Sequence, residues 1–557
     1  MRRQIRLTDS QERWPIVKRS DRSQILFRYG RRWKTSTRAR YTPTAASLLL
    51  AQPFWLLLWL ALGAFPACAQ TGAKTPDPCT SGHEFATTDC ALTWHGITLY
   101  GAYDVGLGYV GHGLPENGYN YEGESLVNRN GYEHRFLVAP NNLSQTGLGI
   151  RGKAEFLPGW SVVFNASTGI NPQSGLLANA SETDIINNGL PRSSYSIAID
   201  GARAGQPFND QYYAGISSPH FGELTFGRQR SLGTDAMLLY DPASGAYAFS
   251  YIGYNGTMAG GGDTEDSRWD DAVKYRISYG PVHFGAMYKF ADGSGGCYSA
   301  SSSWTNTTCT PESAHNNAFG FDLGGGNDKF SADLVFQHYN EAISVLNPLL
   351  GPQSQSAGQS FQSTTDSINT NPITGPNLID PNNTVYGIVT DNNAIMFAAK
   401  YSWNPFKFFA GYEYIWQNNP ADPLGVGASD QGGYFMSGVE DNNLDSEKLV
   451  NIWWMGGKYT YHSKTDFTLS WYQQRQNDFR VPQTCSASAG FRASCAGTLN
   501  EGSFYVDHHF TKRFDGFVGI AYSWVRGGLA IAIPHGPGVP YNYNNNCAPT
   551  IGGRFTF

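Results

Sequence analysis

The chain ends on an aromatic residue, and its last seven residues alternate. Ile551, Gly553, Phe555 and Phe557 fall on one side of an extended chain, and Gly552, Arg554 and Thr556 on the other. Side chains with a period of two belong to a β-strand. A soluble domain gains little from finishing on an aromatic strand. A barrel in lipid does, because its last strand must close on its first, and each unpaired backbone group in hydrocarbon costs several kcal/mol. The C-terminus therefore reads as the closing strand of a transmembrane β-barrel, with Phe555 and Phe557 as its closing signal.

The composition fits this reading. The chain is 557 residues long with a net charge of −6, rich in Gly, Tyr, Phe and Trp and low in charge for a soluble protein. Mean hydropathy is negative, −0.36, which excludes a helical membrane protein. In a barrel, lipid-facing apolar residues alternate with lumen-facing polar ones, so no long apolar run appears. A large secreted all-β enzyme has a similar composition.

The one apolar run, Leu48 to Phe65, is followed by Ala67-Cys68-Ala69, an A-x-A-like cleavage site. It reads as a secretory signal peptide processed after Ala69. Residues 1–44 are Arg-rich and too long for an ordinary n-region, and no Met lies between Met1 and Met237. They are either an extended signal region or the product of a misplaced start codon. The expected organisation is 1–69 removed, 70–95 a periplasmic extension, and 96–557 the barrel.

Beyond the cleavage site the cysteines fall into three local pairs: Cys79 with Cys90, Cys297 with Cys309, and Cys485 with Cys495. Cys547 is left over. An exported chain meets an oxidising compartment, so short-range disulfides are expected. No CxxC spacing supports zinc, and no metal or cofactor is expected.

The first strand is Ile97–Leu107, with Thr98 and Asp104 on the side opposite its apolar residues. Hairpins follow: Leu148–Phe156 with Trp160–Ala166, Gln211–Ile216 with Gly222–Arg228, and Ala272–Tyr279 with Val282–Phe290. The chain continues with Phe319–Gly324 and Phe330–Tyr339, then Ala394–Trp403 and Phe406–Trp416. Leu449–Tyr461 with Phe467–Gln474 and Ser503–Phe510 with Phe517–Val525 complete the set. Gly, Pro, Asn and other turn residues join each pair. With the opening and closing strands this predicts an all-β fold, a sixteen-stranded antiparallel transmembrane barrel. The even number puts both termini on one side. Short turns on that side and long polar loops on the other reproduce the outer-membrane asymmetry.

Several segments carry a family resemblance. "ITLYGAYDVGLGY" from Ile97, "FNDQYYAGI" from Phe208, "FGELTFGRQ" from Phe221 and "SRWDDAVKY" from Ser267 resemble, in order and spacing, the Gram-negative general diffusion porins. The resemblance covers most of the chain from Ile97 to Phe557. It implies a homotrimer of water-filled channels in outer-membrane lipid and lipopolysaccharide, whose C-terminal strand is read by the barrel-assembly machinery. It also implies passive diffusion of ions and small hydrophilic solutes, no cofactor and no nucleic-acid partner. In that family the third loop folds inward, and its carboxylates face a basic cluster on the wall, which sorts solutes by size and charge.

By position, Asp235 and Asp241 are the candidates for the acidic side, and Arg268 matches a constriction arginine. Lys274 and Arg276 share the face of Arg268. Three positions depart from the family: Asp210 and Gly147 stand where many members have Arg, and Ala102 where some have Lys. The expectation is a pore neutral to mildly cation-preferring, with Arg135, Arg151 and Lys153 as compensating charges. Tyr240, Tyr247, Phe249, Tyr251 and Tyr254 either pack the third loop on the wall or form the slide of a channel specific for a sugar or aromatic acid.

Three other patterns carry less weight. Two GxGxxG matches, from Gly106 and from Gly147, sit in alternating strands with no helix following, so they are not dinucleotide sites. Asp507-His508-His509 looks like a ligand set, but neighbours on a strand point to opposite faces. An outer-membrane barrel phospholipase or protease is the remaining alternative, yet no nucleophile constellation stands out and no catalytic residue is expected.

Overall fold

In the computed structural model, the described residues are 77–111, 135–170, 172, 175, 177, 207–255, 268–290, 317–340, 391–418, 430–431, 434–435, 446–479, 496–527 and 545–557. Among these, sixteen strands form one closed antiparallel barrel. They are β1 (Ile97–Val110), β2 (Arg135–Pro140 and Gly147–Leu157), β3 (Trp160–Gly169), β4 (Gln211–Ser218), β5 (Gly222–Arg230) and β6 (Arg268–Tyr279). Next come β7 (Val282–Lys289), β8 (Ala318–Gly326), β9 (Phe330–Tyr339), β10 (Asp391–Trp403) and β11 (Phe406–Asn418). The last five are β12 (Lys448–Tyr461), β13 (Thr465–Gln476), β14 (Gly497–His509), β15 (Phe514–Gly527) and β16 (Asn545–Thr556). Every expected hairpin is present, and no helix among the described residues is long and apolar enough to cross a membrane.

The barrel is apolar outside and polar inside. Phe136, Leu469, Leu107, Ile551, Met455 and Val518 are exposed on the outer face. Their strand neighbours Asp104, Thr468, Ser470, Thr550 and Trp454 are buried toward the interior. In water this distribution would be unstable; in a bilayer the outer face meets hydrocarbon and the inner face a polar lumen.

Closure follows the C-terminal pattern. Ala102–Gly108 pairs with Thr556–Thr550, and Gly101 and Phe557 exchange two backbone hydrogen bonds of 3.0 Å. Gly101 is required by this contact, since a Cβ there would sit 2.5 Å from the Gly147 carbonyl and 2.6 Å from the Phe557 ring.

Strand β2 is interrupted at 141–146, and the break is held by Asp104. Its carboxylate accepts from the amides of Asn142 (3.1 Å), Leu143 (2.7 Å) and Ser144 (2.9 Å), and from the Asn142 side chain (3.2 Å). Ahead of the barrel, helix α1 (Gly82–Thr87) is closed by a disulfide between Cys79 and Cys90, and Leu92–Trp94 pairs with the start of β1. Arg513 stacks on Phe85 and donates to the carbonyls of Phe85 and Cys90.

Of the three expected cysteine pairs, the one the structure describes is therefore bonded as expected, and Cys547 has no disulfide partner among the described residues. The other two pairs, Cys297 with Cys309 and Cys485 with Cys495, fall in the long loops. Cys297, Cys309, Cys485 and Cys495 all lie outside the described residues, as does the signal segment.

Candidate functional site

After β5 the chain turns into the barrel instead of away from it. Ser231 caps helix α2 (Leu232–Tyr240) by accepting from the Thr234 amide, and helix α3 (Tyr251–Asn255) follows. Helix α2 lies against β7–β11. Side chains from the wall then fix the loop in sequence. Gln337 accepts from the Gly233 amide, Tyr240 donates to Asp333 (2.8 Å), and Trp454 donates to the Tyr240 carbonyl (3.1 Å). Farther along, Ser503 donates to the Phe249 carbonyl (2.6 Å), and the Phe249 ring stacks on Tyr505. The Ala248 amide reaches the Asn142 carbonyl at the break in β2 (3.2 Å). The loop thus follows the wall from β5 round to β2 and leaves an opening on the side of β1–β6.

That opening, about 330 Å³, is lined by Tyr100, Ser167, Asp210, Arg230, Tyr247 and Arg268, among others. One ion-pair group lines it, and a second stands beside it next to the lining residues Arg230 and Thr234. Asp210 receives Arg268 Nε at 2.8 Å, Arg230 at 3.4 Å and the Ser167 hydroxyl at 2.9 Å. Arg268 also donates to Gln145 (3.1 Å), whose amide in turn donates to the Tyr247 hydroxyl. Asp235, on α2, is clasped by Lys274 and by Arg276 (2.5 Å), so it joins the loop to the wall. Burial pushes the Asp235 carboxyl up, but Lys274 and Arg276, with Arg230 behind them, outweigh it and hold it below the usual carboxylate range. Asp235 is therefore an anion at neutral pH.

The sequence-derived candidates separate accordingly. Arg268, Asp210, Asp235, Lys274 and Arg276 come together. Arg151 faces the same lumen on β2, its guanidinium 5.1 Å from the Tyr100 ring centre. Asp241 does not join them. It is fully enclosed at the C-terminus of α2, accepting from Tyr472 (2.6 Å) and from the Gly245 (2.7 Å) and Ala243 (3.2 Å) amides. Burial pushes its carboxyl up against those donors. Tyr240, Phe249 and Tyr251 are buried against the wall, where they pack the loop, and Tyr247, also buried, is the one of these four that lines the opening; the Tyr254 and Arg135 side chains lie outside the described residues.

Two residues of the site escape the sequence reading. The expected strand stops at Arg228 and leaves Arg230 out, because a register shift between Gly227 and Gln229 breaks the parity. Gln145 lies in the β2 break, where period-two reasoning does not apply. The parity argument against Asp507-His508-His509 holds only for His508: Asp507 and His509 share a face with Asp515.

A closed barrel, apolar outside, with a loop folded into a charged lumen defines the class: an outer-membrane barrel of the porin type. The chain belongs to the Gram-negative porin family, whose profile matches residues 57–527. An outer membrane porin protein of Bordetella pertussis is 25% identical over 197 residues, 35% of this chain and 43% of that relative, so the match spans less than half of its length. An anion-selective porin from Comamonas acidovorans has the same fold, with a TM-score of 0.50 and 15% identity over 83% of this chain and 99% of that one.

Proposed function

We propose that this protein is an outer-membrane porin, a water-filled channel for passive diffusion of ions and small hydrophilic solutes, with a modest preference for anions at its constriction. The observation that carries this is the charge balance around the opening. Three carboxylates, Asp210, Asp235 and Glu223, the last opposite Arg276 in the β5–β6 register, stand with four cations, Arg230, Arg268, Lys274 and Arg276. The surplus lies on the accessible groups: the Arg276 side chain is 46% and the Arg230 side chain 30% exposed, against 4% for Arg268. A basic surplus in a narrow lumen concentrates anions and repels cations. This departs from the neutral to mildly cation-preferring pore expected from Asp210, Gly147 and Ala102, because that count omitted Arg230. At 15% identity the Comamonas porin speaks for the fold alone, so selectivity rests on this chain's own charges.

The same reading includes export by a signal peptide ending at Ala69, residues 70–95 on the periplasmic side, and assembly as a homotrimer. Planar-bilayer recording with a KCl gradient tests it. Ohmic steps in threes with a reversal potential toward that of chloride are expected, and Arg230→Ser with Arg276→Ser moves it toward that of potassium. A strongly cation-selective wild type overturns the charge argument. Small steps blocked by a sugar or aromatic acid favour a specific channel, and hydrolysis of lipid or peptide without conductance favours an enzyme.

A further inference from the structure

The geometry points to a binding site for a zinc-class divalent transition metal on the lumen face of β7–β9, formed by His283, Asp322 and Asp333. The residues come from three adjacent strands. His283 is opposite Gly324 on β8, and Gly324 is opposite Asp333 on β9, so the three positions form one row; Asp322 is two residues from Gly324 on the same face. His283 Nε2 is 3.2 Å from an Asp333 oxygen and 3.6 Å from an Asp322 oxygen, and one donor atom from each residue lies within 4.8 Å of the others. Donors held about 2.0–2.2 Å from a tetrahedral ion stand about 3.3–3.6 Å apart. One imidazole and two carboxylates form a set that suits zinc, nickel or copper, and three protein ligands leave a fourth position for water or solute.

Three further observations point to a ligand. The Asp322 side chain is 7% exposed, and its Oδ1 has no hydrogen-bond partner. A buried anionic oxygen without a donor costs a few kcal/mol, which a cation would offset. The middle of the row admits only glycine: a Cβ on Gly324 would sit 2.0 Å from Asp333 Oδ1 and 2.5 Å from His283 Nε2, so the two donors close over bare backbone. Asp333 is oriented by the Tyr240 hydroxyl (2.8 Å), the kind of outer-shell bond that fixes a ligating carboxylate. His283 is 31% exposed, which leaves the row open to ions in the lumen.

The second cluster of similar composition, Asp507, His509 and Asp515, already holds a cation. Arg554 lies 2.6 Å from Asp515 and 3.6 Å from Asp507, so a guanidinium already bridges the two carboxylates. At the first cluster Lys400 feels Asp333 only at longer range, its ammonium 5.7 Å from the Tyr240 ring centre. The site also links to the pore loop. Tyr240 bonds Asp333 and belongs to α2, so an ion on Asp333 meets the helix that carries Asp235.

Cobalt(II) titration of the purified protein, followed by its visible absorption, tests the site independently of conduction. Saturable binding of one Co²⁺ per chain is expected, displaced by Zn²⁺. His283→Gln and Gly324→Ala each weaken it about tenfold or more, while His509→Gln leaves it unchanged. Heat-modifiable migration on SDS gels confirms that each variant is a closed barrel. No saturable binding up to about 1 mM overturns the proposal, since metal sites of this kind bind far more tightly. Binding that survives His283→Gln and disappears with His509→Gln also overturns it.

Discussion

Replacing Asp235 with Asn removes the one ionised carboxylate that α2 presents to the wall, and its effect on selectivity can be worked through. The local surplus rises by one positive charge. A unit charge about 5 Å from the path of an ion contributes about 0.8 kcal/mol in water, and screening at 0.1 M lowers this to about 0.5 kcal/mol. Chloride gains and potassium loses that amount, each about twofold in local concentration. Because the constriction is only part of the pore, the chloride-to-potassium permeability ratio is expected to rise about twofold. The fold should survive. Lys274 keeps its bond to the Arg230 carbonyl at 2.8 Å, and Asp235 is 28% exposed, so losing the pair costs about 1–3 kcal/mol rather than the full penalty of breaking a buried one. The assay is the reversal potential across a KCl gradient, with a thermal melt as the control for folding. A well-folded Asp235→Asn channel with an unchanged ratio, or one moved toward potassium, would refute the assignment of this carboxylate to the ion path.

Asp104→Ala leaves the amides of Asn142, Leu143 and Ser144 without their acceptor. A loss of about 3–6 kcal/mol is expected in urea unfolding from micelles, with noisier open channels because the Asn142 carbonyl holds Ala248 of the inward loop. The two loop carboxylates should respond to acid in opposite senses. Asp235 is held below its unfolded value, so its stabilisation is present above the usual carboxylate range and is lost as pH falls through the depressed value. Asp241 is held above its unfolded value, so its contribution is present at low pH and is lost as pH rises through the raised value. Asp241→Asn should therefore flatten the gain in loop order on mild acidification, read as open-channel noise against pH. Deleting Phe557 removes both closing bonds to Gly101 and should sharply lower the yield of heat-modifiable barrel.

What the sequence disclosed about this molecule depended on whether a side chain's neighbour is fixed by local geometry. Strand positions have a period of two, so Ile551 to Phe557 and the hairpins from Leu148 to Val525 could be read without knowing any partner. Lys274 and Arg276 followed from the same parity on β6. Parity fails wherever the period is broken. The bulge at Gly227–Gln229 hid Arg230. In a loop the period means nothing, so Asp235 and Asp241 looked equivalent: one faces Lys274 and Arg276, and the other is sealed under Tyr472. The row of His283, Gly324 and Asp333 was hidden for a further reason. Each residue's face was readable, but their meeting depends on the register of three strands, and one residue of slip on β8 would put Gly324 on the outer face and take it out of the row. Register in turn is set by the turns at Gly280-Pro281 and 325–328 and by the loop seated above them. Chemistry in such a barrel is therefore legible from sequence one strand at a time, and becomes a site only when closure fixes which strands lie side by side.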